Sequence, residues 1–137
     1  MYSKIVVPVD LTHTEKLDKA LTTAGDLAKH YNAEVFLLGV ANSTPGEIAH
    51  NPKEFAEKLA DFAASQSAAQ GIEFRTIATI STDIAVDLVK TLDTEIHRLG
   101  ADLVVMASHV PGFRDYIFRS NSGYLASHMD ISVLVVR

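Results

Sequence analysis

Residues 101–112 read A-D-L-V-V-M-A-S-H-V-P-G, and residues 113–122 continue F-R-D-Y-I-F-R-S-N-S. The first part is a short apolar strand that runs straight into a polar loop. A helix is expected next, and then the apolar run I-S-V-L-V-V of residues 131–136. Leu103 to Ala107 has the near-continuous Val/Leu character of a strand buried on both faces. Polar residues gathered at the carboxyl end of such a strand point to an open parallel sheet. Ligands bind there because strand ends and helix N-termini present unpaired N–H groups together.

Working outward, four more apolar runs are evident: Ile5 to Val9, Glu34 to Val40, Ile72 to Ile80 and Ile131 to Val136. The run from Ile72 alternates (Ile72, Phe74, Thr76, Ala78), as a strand near a sheet edge does. Helical stripes lie between the runs: Leu17, Ala20, Leu21, Ala24, Leu27 and Ala28; then Phe55, Leu59, Phe62 and Ala63; then Ile84, Leu88, Leu92, Ile96 and Leu99. Thr14, Asn51 and Thr82 are the expected N-caps, and Gly71 and Gly100 the expected stops. Strand and helix therefore alternate, which predicts a parallel α/β sheet with right-handed crossovers and helices on both faces. The one long connection is Ala41 to Pro52, either a lid or partner contact or an idle surface excursion.

The chain has 137 residues, 47% of them apolar and 21% charged. That is enough for one core burying roughly two-thirds of the unfolded surface, so a single domain over residues 1–137 is expected. No apolar run approaches a membrane span, and Met1-Tyr2-Ser3-Lys4 leads into a strand rather than a signal sequence, so a cytoplasmic protein is expected. Cysteine is absent, which removes disulfides and thiolate chemistry. A formal charge of −5 without a Lys/Arg cluster argues against nucleic acid as a partner.

The glycines form neither G-x-G-x-x-G nor G-x-x-x-x-G-K-[ST], and H-E-x-x-H and G-x-S-x-G are missing. His13, His30, His50, His97, His109 and His128 are scattered, without metal-ligand spacing. Three polar features remain. Asp10 follows K-I-V-V-P-V and either caps the following helix or faces a ligand. Ser108 and His109 follow the fourth strand, with Pro111 and Gly112 turning the chain. Ser120, Asn121 and Ser122 offer hydroxyl, amide and backbone groups to a phosphate or ribose, or back-bond within a helix. These features converge if the first and fourth strands are neighbours, where a doubly wound sheet opens its crevice.

K-I-V-V-P-V-D near the start, V-F-L-L-G-V in the second strand, and the stretch from V-V-M-A-S-H-V-P-G to the final Arg137 resemble the universal stress proteins. The S-H-x-P turn and the later S-N are most similar to the short F/G-type branch. The resemblance spans the chain. It implies an adenine nucleotide alpha hydrolase-like fold with five strands in the order 3-2-1-4-5, and a homodimer through the C-terminal strand. It further implies a regulatory rather than enzymatic role, bound ATP or another adenine nucleotide, an optional Mg²⁺ on the phosphates, and a protein partner not specified. Pro8, Val9, Asp10 and Val40 would hold the adenine and ribose end. Ala107, Ser108, His109, Gly112, Arg119, Ser120, Asn121 and Ser122 would hold ribose and phosphates.

Many nucleotide-binding members carry three glycines in the phosphate loop, the last followed by Ser or Thr, although F/G-type members already resemble this chain in having Ala-Ser-His at the first of these positions. The matching positions here are Ala107, Val110 and Arg119, the last followed by Ser120. Arg119 is the main departure, because glycine admits a close phosphate approach or a positive φ. Three outcomes are physically available: pairing outward with Asp115, entry of the guanidinium into the site, or obstruction. The resulting readings are a nucleotide-binding regulatory module, a non-nucleotide interaction module, and a slow ATP hydrolase using His109. The last is disfavoured because there is no Walker lysine, no arginine clamp other than Arg119 and no second base to position water.

Overall fold

The computed structural model describes residues 1–43, 45, 48–107 and 129–137. The strands are β1 (Lys4–Val9), β2 (Glu34–Asn42), β3 (Phe74–Ser81), β4 (Leu103–Ala107) and β5 (Ser132–Val136). All pair in parallel, in the order β3-β2-β1-β4-β5. The helices are α1 (Asp18–Tyr31), α2 (Pro52–Gln70) and α3 (Ile84–Leu99). The helix expected between β4 and β5 lies outside the described residues.

Side-chain parity along the strands assigns the helices to faces. A Cβ at Gly39 would come 2.9 Å from Phe55 Cζ and 3.1 Å from a Leu59 methyl, so α2 lies tight against that face of β2. The next residue, Val40, pairs with Thr79, whose hydroxyl is 3.5 Å from Glu95 of α3. Successive side chains point to opposite faces, so α3 covers the other side of the sheet. α1 packs beside α2. The expected arrangement of helices on both faces is borne out, and the buried stripes are the predicted ones: Leu17, Ala20, Leu21, Ala24 and Ala28; Phe55, Leu59 and Ala63; Leu88, Leu92 and Ile96.

The helix ends follow the expected signals in part. The Asn51 side chain accepts from the Glu54 N–H at 2.8 Å and starts α2. Gly71 and Gly100 stop α2 and α3 at φ of 71° and 72°, where a Cβ would be strained. Thr14 does not cap α1. The chain first makes a 3₁₀ turn at Leu11–Lys16 and then enters α1 through Leu17, which is fully buried and has no side-chain cap. Thr82 is likewise displaced as N-cap, by Asp83. At α1 the burial of Leu17 sets where the helix begins, overriding the capping preference, whereas at α3 the start falls one residue later on Asp83, also a residue of capping type. β2 also runs past Val40 to Asn42, because β3 pairs with it as far as Ser81.

The amino end of the sheet is tightly tied. Asp102, just before β4, accepts from the Ser3 N–H at 2.8 Å, the Ser3 hydroxyl at 3.0 Å and the Lys4 N–H at 3.0 Å. Burial alone would raise its pKa, but the Ser3 and Lys4 donors outweigh it and hold the carboxyl below its ordinary value. His97, near the end of α3, places Nδ1 2.9 Å from the Asp93 carbonyl and Nε2 3.0 Å from Asp130 Oδ1. Both ring nitrogens thus face acceptors, which favours the imidazolium. The Asp93 carbonyl first and the Asp130 carboxylate second raise its pKa, tethering α3 to the approach to β5.

Candidate functional site

The strand order reverses at β1, which has β2 on one side and β4 on the other. The two ladders differ. β1 pairs with β2 from Lys4–Glu34 through Val9–Gly39, but with β4 only at Ile5–Leu103 and Val6–Val104. Backbone parity supplies the reason. The Asp102 N–H donates to the Lys4 carbonyl, and the Glu34 N–H to the Ser3 carbonyl. In a parallel ladder a residue turns its N–H and C=O to the same neighbour, and successive residues alternate. Lys4, Val6 and residue 8 therefore face β4, and residue 8 is proline, which has no N–H to give. A proline in a central strand is normally a contradiction. Here it ends the β1–β4 ladder, so toward their carboxyl ends β1 and β4 run on without pairing.

Asp10 follows directly on this unpaired end of β1. Its Oδ1 accepts from the Thr12 N–H at 3.0 Å and the Thr12 hydroxyl at 2.6 Å. His13 Nδ1 lies 2.7 Å from Thr12 Oγ1 and 3.3 Å from Asp10 Oδ2. With the Thr12 proton directed at Asp10, Nδ1 must carry its own proton and donate, which leaves Nε2 as the acceptor in the neutral ring. The capping reading of Asp10 is thus realised on the 3₁₀ turn. Its Oδ2 is less firmly held than Oδ1, and the side chain keeps partial exposure. Sequence reasoning missed Thr12 and His13 as site residues. The signal was D-L-T-H directly after a strand, an Asx-type turn that draws the next polar side chains back over the aspartate.

Of the expected site residues, the fold brings Pro8, Val9, Asp10, Val40 and Ala107 to the carboxyl ends of the three adjacent strands β2, β1 and β4. Pro8, Val9 and Ala107 are buried, while Val40 is half-buried beyond the Val9–Gly39 pair. Ser108, His109, Gly112, Arg119, Ser120, Asn121 and Ser122 lie outside the described residues. Among the described residues no group of three or more His, Asp or Glu is placed to hold a metal ion, and no helix is long and apolar enough to cross a membrane.

A doubly wound parallel sheet of five strands in the order β3-β2-β1-β4-β5, with an aspartate directly after β1, defines a class of small α/β protein whose strand order reverses at β1. The model of the universal stress protein family matches residues 1–137, and the chain belongs to that family. Universal stress protein G of Shigella flexneri is 31% identical over 144 residues, with all of both chains covered. Two solved structures share the fold. A universal stress protein in complex with cAMP superposes with a TM-score of 0.67 at 18% identity, covering 99% of this chain and 97% of that one. The Archaeoglobus fulgidus universal stress protein in complex with dAMP gives 0.65 at 17% identity, covering 99% and 98%.

Proposed function

We propose that the protein is a regulatory module that binds an adenine nucleotide in the crevice between β1 and β4. The observation that supports this is the break in the pairing of β1 and β4 toward their carboxyl ends. Pro8 ends the β1–β4 ladder, and Asp10 follows β1 directly in a fold whose solved members include complexes with cAMP and dAMP. Adenine and ribose lie against the ends of β1 and β2, with the backbone at Val9 and Val40 and the free capacity of Asp10 Oδ2 as partners. The phosphates lie toward the segment after β4, where Ser108, His109, Gly112, Arg119, Ser120, Asn121 and Ser122 follow Ala107 in the chain. ATP is the expected ligand, with Mg²⁺ an optional companion of its phosphates. The role is regulatory and cytoplasmic rather than catalytic.

Calorimetry with ATP, ADP, AMP and adenosine tests the reading. Binding between low-micromolar and sub-millimolar, about 5–8 kcal/mol, is expected. No heat and no thermal shift at millimolar nucleotide would instead support a dimeric interaction module without nucleotide, the reading that Arg119 favours in place of a glycine.

The assembly proposed is a homodimer through β5. This strand is the outer one on its side of the sheet, and its Leu134 and Val135 are 37% and 36% exposed. Pairing with a second copy covers them and the unpaired edge groups together. Sedimentation as a monomer at tens of micromolar would refute it, and Leu134→Pro is expected to give monomer or insoluble protein.

A further inference from the structure

At the opposite margin of the sheet, β3 and α3 enclose a groove of about 340 Å³, lined by Ile80 and Ser81 from the strand and by Asp87, Lys90, Thr91 and Glu95 among the helical residues. Three independent features meet in it. The first is Ser81, only 5% exposed, whose hydroxyl has no hydrogen-bond partner among the described residues. A buried hydroxyl without a partner is costly, and buried polar groups are normally satisfied. The second is the strand edge. The Ser81 carbonyl accepts from the Ser43 N–H on the β2 side, so parity turns the N–H and C=O of Ile80 outward, away from β2. The third is charge. Asp87 has no ion-pair partner among the described residues, Glu95 is mostly buried with its nearest guanidinium, Arg98, at 3.7 Å, and Lys90 is the one cation of the lining.

We infer that the groove between β3 and α3 is a docking site for an extended peptide segment of a partner protein, one carrying a lysine or arginine among small side chains. The peptide pairs with the outward N–H and C=O of Ile80 as an added strand. Its alternate side chains enter the groove, where one meets the Ser81 hydroxyl and the basic one meets Asp87 and Glu95. The size is consistent: the α3 wall from residue 87 to 95 spans about 12 Å at helical rise, which matches three or four extended residues at ~3.3 Å each. This site is separate from the crevice at Pro8 and Asp10 and does not depend on nucleotide binding.

The test follows backbone amide resonances of the whole chain while short synthetic strand-forming peptides are titrated. One is a Thr/Val peptide with lysines at alternate positions, one carries glutamates there, and one is the lysine peptide interrupted by proline. The lysine peptide is expected to shift the amides of Ile80, Ser81 and Thr91 saturably and to bind at least about tenfold tighter than the glutamate peptide, a difference of ~1.4 kcal/mol. The proline peptide should leave them unmoved. Ile80→Pro removes only an outward donor, a change that edge strands tolerate, and should abolish the shifts. Ser81→Ala should weaken the lysine peptide by roughly two- to tenfold, the value of one neutral hydrogen bond, without lowering the melting temperature. Absence of groove shifts at millimolar lysine peptide overturns the inference, as does equal binding of the glutamate peptide. Groove shifts that follow protein dilution without peptide overturn it in favour of a second copy of the chain. Should Ile80→Pro fail to fold, Ser81→Ala decides: unchanged affinity refutes the site.

Discussion

The substitution Pro8→Ala tests whether the missing N–H is what ends the β1–β4 ladder. The variant would present a donor from position 8 toward β4, and the strands are expected to close by one further rung. The buried proline ring loses two carbons, costing roughly 1.6 kcal/mol at about 0.8 per methylene. Freeing the unfolded chain from proline costs a further ~0.4–1 kcal/mol. A new backbone hydrogen bond returns about 1 kcal/mol. The net expectation is a loss of about 1–1.5 kcal/mol in denaturant unfolding. If the strands stay apart, the new N–H is instead buried and unpaired at roughly 1–3 kcal/mol, and the loss exceeds about 3 kcal/mol. Hydrogen exchange separates the cases directly, since a closed rung protects the amide introduced at position 8. Rapid exchange of that amide combined with a loss above about 3 kcal/mol would refute this account of the ladder's end. Nucleotide titration adds a second readout, with affinity expected to fall at least about tenfold as the crevice narrows.

Asp10→Ala should weaken adenosine and ATP by similar factors, and calorimetry that finds ATP weakened and adenosine spared would reverse the placement of the ligand. Asp102→Ala removes the acceptor for Ser3 and Lys4 and should cost about 2 kcal/mol, the range for hydrogen bonds to a charged group. Because the folded pKa of Asp102 is depressed, its contribution is present above the ordinary carboxylate range and disappears as pH falls through the folded value; the variant's deficit measured by urea unfolding should shrink below about pH 4. His97 is shifted the other way, so its contribution is full below the ordinary imidazole range and lost as pH rises through the raised value. Being largely exposed, it should account for less than about 1 kcal/mol. His97→Gln should flatten that part of the stability profile, and a profile as steep as the parent's would contradict the Asp130 tether.

The buried stripes were legible because continuous Val/Ile runs and helical periodicity report burial directly, whereas the strand order 3-2-1-4-5 was implied by the family resemblance and not by any pattern of burial. Asn51, Gly71 and Gly100 were legible because each performs a task that few residues can perform locally. Thr14 and Thr82 misled for the converse reason. A threonine is a permissible cap in many places, and the choice among them falls to packing, as the fully buried Leu17 at the start of α1 illustrates. Pro8 stands out through family resemblance, but its effect depends on which neighbour residue 8 faces, a property of register that no local pattern contains. The outward facing of Ile80 and the stranded hydroxyl of Ser81 are invisible in sequence for the same reason.

The unequal ladders on the two sides of β1 also have a mechanical meaning. β1, β2 and β3 are riveted along their whole lengths into one plate, whereas β4, with β5 attached, is hydrogen-bonded to that plate only near the Asp102 clasp and is held farther along by packing against α1, whose Lys19 also bonds the Arg137 carbonyl beyond β5. From the clasp to Ala107 the lever is about 16 Å at ~3.3 Å per residue. A swing of roughly 4° about the clasp would therefore move the far end by about 1 Å. A rigid swing of that kind would carry β5 as well, and with it Leu134 and Val135, so the spacing of the β1 and β4 ends and the tilt of the outer apolar surface would change together.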